Sequence, residues 1–166
     1  MLFFRDMRAQ LGFLCLLFVV CTSSVLAQSS ADCIELLYSK SNLSRDEAAR
    51  LCSGGVSART VELLYAKTNL GWAEAAKLAR GRVKASCVEL LYNKSNLSYV
   101  EAAKKCSGGV NASCVSLLYQ KSNAGYIQAA ELCKGDVEAD CVEHMYAKTS
   151  NSWADAARKC SSQRDE

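Results

Sequence analysis

The sequence predicts an all-α fold, a short α-solenoid of five helical hairpins, four of them closed by a disulfide bond within the hairpin. Three observations support this prediction: a segment that recurs every 27 residues, two amphipathic helical patterns in each copy, and cysteines 19 positions apart in four copies. Half of the 166 residues are apolar, 22% are charged and none is proline. This composition can form a packed core and argues against a disordered chain, a loop-rich disulfide knot or a β-sandwich.

The recurring segment has the form Cys-Val-Glu-Leu-Leu-Tyr with few substitutions. Its copies begin at residues 33, 60, 87, 114 and 141, without insertion or deletion. Such strict spacing is typical of a tandem array in which every unit makes the same contacts with its neighbours. The predicted repeat domain covers residues 28–166. Its repeats lie at about 31–57, 58–84, 85–111, 112–138 and 139–166.

Each repeat contains two patterns of apolar residues typical of amphipathic helices. In the third repeat, Val88, Leu91 and Tyr92 share one helix face, and Tyr99 and Ala102 begin the face of a second helix. The tyrosine of the first helix recurs in every repeat, and its spacing predicts a core position. These tyrosines are Tyr38, Tyr65, Tyr92, Tyr119 and Tyr146.

Capping residues and glycines delimit the predicted helices. A capping residue three positions before an acidic residue predicts the start of a helix. This spacing predicts that the second helix begins after Ser44, Ser98 and Ser152 in three repeats. It predicts that the first helix begins after Asp32, Ser86 and Asp140 in three repeats. Glycines after the second helix predict a left-handed residue that closes its last turn. They are Gly54, Gly81, Gly108 and Gly135, while Gly71 and Gly125 replace the capping serine.

The pairing of the cysteines follows from their joint absence in the second repeat, which has Thr60 and Ala79 at the two cysteine positions. Pairing between repeats would leave Cys52 and Cys87 without partners, whereas pairing within repeats leaves none unpaired. The predicted bonds are Cys33–Cys52, Cys87–Cys106, Cys114–Cys133 and Cys141–Cys160. The alternative, a thiolate metal site, is disfavoured because no Cys-x-x-Cys motif occurs.

The first 27 residues have the layout of a cleaved signal peptide. Arg5 and Arg8 precede an apolar segment at 11–20, and Val25-Leu26-Ala27 has the form of a cleavage site. The mature chain, from Gln28, keeps eight cysteines and a net charge of +2. An even number of cysteines in an exported chain predicts disulfides in an oxidising compartment, periplasmic or extracellular, and no stable membrane insertion after cleavage.

Two rows of recurring residues are the candidate binding positions. We call the first the lysine row, which lies in the last turn of the first helix in every repeat. The helix dipole alone explains a cation at this position and is the favoured interpretation; the alternative is a positive row that could contact an anionic polymer or an acidic protein surface. Its members are Lys40, Lys67, Lys94, Lys121 and Lys148. We call the second the aromatic row. Its members are Trp72, Tyr99, Tyr126 and Trp153, with Arg45 at this position in the first repeat. The periodicity favours packing of the aromatic row against the next hairpin over ligand binding.

The remaining features argue against several function classes. His144 is the sole histidine and occupies a leucine position of the last repeat, so it is interpreted as a cap-face residue rather than a catalytic one. The chain carries no recognisable catalytic, cofactor or metal motif, and a net charge of +3 is too small to indicate a nucleic-acid partner.

The sequence therefore predicts an exported, non-catalytic binding scaffold for a protein or an anionic polymer, without cofactor. One alternative is a secreted effector or inhibitor that occludes a target protein. A peptide precursor is a weaker alternative, because the paired basic residues Lys104-Lys105 and Arg158-Lys159 lie inside predicted helices. The array is similar in kind to tetratricopeptide repeats, but its period and its cysteine spacing differ from theirs.

Overall fold

The computed structural model describes residues 23–149 and 152–162. Within these residues it contains ten α-helices and no strand, arranged as five consecutive hairpins. The predicted all-α repeat fold is therefore confirmed.

The first helix of each hairpin carries the recurring Cys-to-Lys segment and ends at or just after the lysine. These helices are α1 (Ser23–Lys40), α3 (Ala58–Lys67), α5 (Ala85–Lys94), α7 (Ala112–Lys121) and α9 (Ala139–Thr149).

The second helix of each hairpin is shorter in the central repeats and begins with the aromatic row or Arg45. These helices are α2 (Arg45–Cys52), α4 (Trp72–Leu78), α6 (Tyr99–Lys105), α8 (Tyr126–Leu132) and α10 (Trp153–Ser162). Helices this short do not persist alone in water, so their stability comes from packing.

The hairpins stack in sequence order. First helices pack on first helices and second helices on second helices, and contacts between helices join only neighbouring repeats in the described chain. The core has one leucine from each of the first four repeats, fully buried, and burial of each contributes about 2 kcal/mol. These leucines are Leu37, Leu64, Leu91 and Leu118. Fully buried alanine pairs, such as Ala102 and Ala103, let the second helices approach closely.

In four repeats a disulfide bond joins the start of the recurring segment in the first helix to the end of the second helix. These bonds connect Cys33–Cys52, Cys87–Cys106, Cys114–Cys133 and Cys141–Cys160. The paired Cα atoms are 5.8, 5.9, 5.9 and 6.0 Å apart, in the ordinary range for a disulfide. The predicted pairing within repeats is the pairing in the structure.

The second repeat replaces its disulfide with a hydrogen bond. Thr60 is fully buried, and its hydroxyl donates to the carbonyl oxygen of Val83 at 2.8 Å. The Ser57 hydroxyl lies 2.8 Å from the same Thr60 oxygen. The bond joins the start of α3 to the segment after α4, close to where the other repeats have a sulfur bridge. A buried neutral hydrogen bond contributes about 1 kcal/mol, so this hairpin has a weaker link than its neighbours.

Glycine turns link successive repeats on the side of the array where each second helix ends. Gly81 and Gly108 have φ values of +79° and +89°, as predicted for left-handed closing residues. Their backbones form a ladder: the Gly108 N–H donates to the Gly81 carbonyl, and the Gly135 N–H donates to the Gly108 carbonyl, each at 2.7 Å.

The adjacent Gly109, also left-handed at φ +75°, lies close to the Asp136 carboxylate. That carboxylate pairs with Arg82 at 2.6 Å and with Lys84 at 2.7 Å, so an ion pair spans the intervening repeat.

Gly109→Ala is expected to lower the free energy of unfolding by about 2 kcal/mol. A Cβ at Gly109 would lie 2.7 Å from a carboxylate oxygen of Asp136, and the left-handed backbone adds a penalty of about 1 kcal/mol. Gly54→Ala is the matched control, because Gly54 shares the backbone conformation but nothing lies within 4 Å of its added Cβ. Chemical denaturation of both variants checks this; equal losses would mean that the Asp136 contact contributes nothing.

Caps of the second helices are as predicted, but those of the first helices are not. Ser44 and Ser98 each accept a hydrogen bond from the backbone N–H three residues later. Ser152 does the same, and Gly71 and Gly125 occupy the cap position in their repeats.

The prediction that Asp32, Ser86 and Asp140 cap the first helices is wrong. Asp32 lies inside α1, while Ser86 and Asp140 lie in the first turns of α5 and α9. In the second to fifth repeats a buried valine lies two residues before the start of the first helix and anchors the entering chain in the core, as Val56 does beside the true cap Ser57. These valines are Val56, Val83, Val110 and Val137.

The predicted signal peptide, residues 1–27, lies outside the described residues except for its last five, which belong to α1. None of the helices in the described part of the chain combines the length and hydropathy needed to cross a bilayer.

Candidate functional site

The lysine row is solvent-exposed along its whole length. Each lysine lies in the last turn or at the end of a first helix, one repeat apart from the next. The ion pairs within residues 23–149 and 152–162 involve other side chains, so no carboxylate of that part of the chain pairs with these five ammonium groups. The row is therefore an array of unpaired cations with the period of the repeat.

The aromatic row stacks on the tyrosines of the first helices, inside each hairpin. Every pair has ring centroids 3.9 Å apart, and the ring planes are 10–22° from parallel. The pairs are Tyr65–Trp72, Tyr92–Tyr99, Tyr119–Tyr126 and Tyr146–Trp153. In the first repeat the guanidinium of Arg45 lies 4.8 Å from the ring centroid of Tyr38, so a cation–π contact takes the same place.

Two sequence interpretations of these aromatic residues are corrected here. The tyrosines predicted to lie in the core are 42–46% exposed in the first four repeats. The aromatic row, which was predicted to pack on the next hairpin, stacks on the tyrosines of its own hairpin. In these four repeats each tyrosine directly follows a fully buried leucine, so it lies about 100° around the helix from that leucine, at the margin of the apolar face. The signal in the sequence was the constant seven-residue spacing between the two partners, with arginine replacing an aromatic partner only once.

The two rows meet on one surface, which we call the turn edge: the lysine row together with the aromatic pairs. The turn inside each hairpin brings the end of the first helix close to the start of the second. Between the third and fourth repeats, Lys94 of one repeat and the pair Tyr119–Tyr126 of the next line a single groove of about 570 Å³. Ile127 and Gln128 also line it. In this groove a cation of the third repeat and the aromatic pair of the fourth repeat therefore face the same space.

Acidic side chains at the turn edge are mostly occupied by helix capping. In the first and third repeats, the third residue of the second helix is Glu47 or Glu101, whose carboxylate accepts from the backbone N–H and the hydroxyl of the cap serine. The hydrogen bonds from Ser44 hold the pKa of Glu47 below its ordinary value, and those from Ser98 do the same for Glu101. In the fourth repeat this position is Gln128, so its turn carries no carboxylate at this position.

The other residues singled out in the sequence do not assemble into a site. His144 is exposed on α9 in the last repeat. Within residues 23–149 and 152–162, no three acidic, histidine or cysteine side chains are grouped so as to hold a metal ion.

No protein-family model, no curated protein and no solved structure matches this chain.

Proposed function

We propose that the protein is an exported, non-catalytic scaffold that binds an extended anionic partner along the turn edge. The observation that carries this proposal is the convergence of two periodic rows, five unpaired lysines and the stacked aromatic pairs, on one exposed surface. The four disulfides support a location in an oxidising compartment.

The regular spacing of the cations and ring pairs along the turn edge restricts which partners can engage several repeats. Each repeat presents nearly the same cation and ring pair, so a partner that engages several repeats must also present regularly spaced anionic groups. A single exposed lysine contributes about 0–1 kcal/mol, but sites on one rigid array act together, because binding at the first raises the effective concentration at the next. A short anionic segment should therefore bind weakly and a long one tightly.

Replacing Lys67, Lys94 and Lys121 together by glutamine is expected to weaken binding of an anionic polymer at least about tenfold, with little change in the thermal midpoint. The loss follows from three missing charge contacts, and it should shrink as added salt screens the wild-type interaction. Calorimetric titration with polygalacturonate and with poly-L-glutamate, at low and high ionic strength, measures it.

The matched control removes the same charge from the ends of the second helices, at Arg50, Lys77 and Lys104. These residues are equally exposed and occupy one equivalent position in the first three repeats. This control variant should keep its affinity. An equal loss in both variants would mean that net charge alone drives binding. A loss of stability with binding intact in the lysine-row variant would identify these lysines as helix-dipole residues.

A further inference from the structure

The groove between the third and fourth repeats differs chemically from the equivalent positions elsewhere in the array. Its lining combines Lys94, the Tyr119–Tyr126 pair, Ile127 and Gln128. Ile127 is 39% exposed. Among the exposed large apolar residues of the described chain, it is the aliphatic one and the others are tyrosines. The equivalent residues in the other repeats are Asp46, Ala73, Val100 and Ala154. The fourth repeat therefore has the largest aliphatic side chain at this position.

The charge of this groove also differs from that of its neighbours. The position of Gln128 holds an acidic residue in each of the other four repeats: Glu47, Glu74, Glu101 and Asp155. Lys94 makes no ion pair with the described residues, and the groove lining contains no carboxylate. Apart from hydroxyl groups, such as that of Ser95, the polar side chains of the groove are thus the Lys94 ammonium and the Gln128 amide, beside the aromatic rings and Ile127.

These features fit a carboxylated sugar ring. The C–H bonds on one face of a pyranose carry partial positive charge and stack on the negative face of an aromatic ring. Stacking leaves the hydroxyl groups at the rim, where the Gln128 amide can donate and accept. A carboxylate on the ring would then face the Lys94 ammonium. An acidic peptide offers no comparable flat apolar face, and its backbone N–H and C=O groups would meet the apolar wall without partners.

We propose that this groove is the principal subsite for a uronic-acid residue of an acidic polysaccharide, an inference that rests on the function proposed above. The repeats on either side supply further cations and ring pairs to the same polymer. A linear polysaccharide repeats a similar unit along its length, which matches an array that repeats a similar surface.

The test uses the mature disulfide-bonded protein and four probes: oligogalacturonate, neutral dextran, poly-L-glutamate and polyuridylate. Gln128→Glu restores the carboxylate present in the other repeats and is compatible with the helix cap, so it should fold normally. We expect it to weaken oligogalacturonate binding about tenfold, because it places a negative charge beside Lys94. Gln120→Glu makes the same chemical change in the same repeat, at an exposed residue outside the groove lining, and should change the affinity less than about twofold.

Tyr126→Ala removes one ring of the stacked pair and is expected to lower the affinity for oligogalacturonate about tenfold. Tyr126→Phe is its control, because it keeps the ring and should keep the affinity.

The possible results distinguish the uronate subsite from the more general anionic scaffold. Preference for oligogalacturonate over the other three probes, with the loss confined to Gln128→Glu and Tyr126→Ala, supports the uronate subsite. Equal binding of poly-L-glutamate, or tighter binding of polyuridylate, that depends on the lysine row overturns the sugar subsite and leaves the anionic scaffold standing. Equal effects of Gln128→Glu and Gln120→Glu overturn the location of the subsite. Absence of binding to every anionic probe overturns both.

Discussion

Replacing Cys87 and Cys106 by alanine is expected to lower the free energy of unfolding by about 3 kcal/mol. The bond closes a loop of about 20 residues, and its loss returns that conformational freedom to the unfolded chain. It lies in the central repeat, where both cysteines are fully buried and where the hairpin contacts neighbours on both sides. Urea denaturation of the oxidised protein and the variant measures the difference.

A second variant of the same repeat separates the disulfide from the hydrogen bond that replaces it naturally. Cys87→Thr with Cys106→Ala reproduces the chemistry of the second repeat, in which Thr60 donates to the Val83 carbonyl. A threonine at 87 would donate to Val110, so we expect this variant to recover about 1 kcal/mol relative to the alanine pair. Identical stabilities of the two variants would mean that the hydrogen bond contributes nothing at this position.

Introducing cysteines at Thr60 and Ala79 is expected to raise the free energy of unfolding by about 2 kcal/mol. Both residues are fully buried and occupy the positions that elsewhere carry the disulfide. The new bond should contribute about 3 kcal/mol, and the lost Thr60 hydrogen bond subtracts about 1 kcal/mol. Thermal denaturation of the variant and the parent protein, each with and without reductant, measures the difference between them. When both proteins are reduced, the gain should turn into a loss of about 1 kcal/mol, because the variant still lacks the Thr60 hydrogen bond.

Amide hydrogen exchange locates this effect along the chain. Before the substitution, exchange should be fastest in the second repeat among the internal repeats, because its hairpin lacks a covalent link. After the substitution, that repeat should be protected as well as its neighbours. Equal protection of all internal repeats in the unmodified protein would show that stacking, rather than the disulfides, sets local stability.

Much of the architecture could be predicted because the same short-range sequence pattern recurs in all five repeats. The helix pattern, the serine caps of the second helices and the left-handed glycines each depend on residues only a few positions apart. The disulfide pairing also followed from sequence, because the joint change to Thr60 and Ala79 leaves a self-consistent set only for bonds within repeats. The starts of the first helices were missed because the cap position directly follows a buried valine such as Val83, and it holds a different residue in each of the central repeats: Ser57, Lys84 and Asn111.

The candidate site was predicted only in part. The lysine row was correctly identified as a periodic feature, but its shared surface with the aromatic row was not. Tyr92 lies beside Leu91, and helical periodicity alone cannot decide whether a residue at the margin of the apolar face turns inward or outward. In the folded hairpin the Tyr99 ring occupies the space beside Tyr92, so stacking holds the tyrosine at the surface.

By itself, the sequence determined the repeat length, the helical hairpins, their covalent links and the positions of the periodic cations. These properties depend on interactions within one hairpin, which a 27-residue segment contains entirely. Only the tertiary structure decided that Lys94 faces the rings of the next repeat, that Gln128 leaves its groove without a carboxylate, and that Thr60 bonds to Val83. Those contacts depend on how short helices stack and turn in space, because side-chain packing across helices is not encoded in the spacing of residues along any one of them.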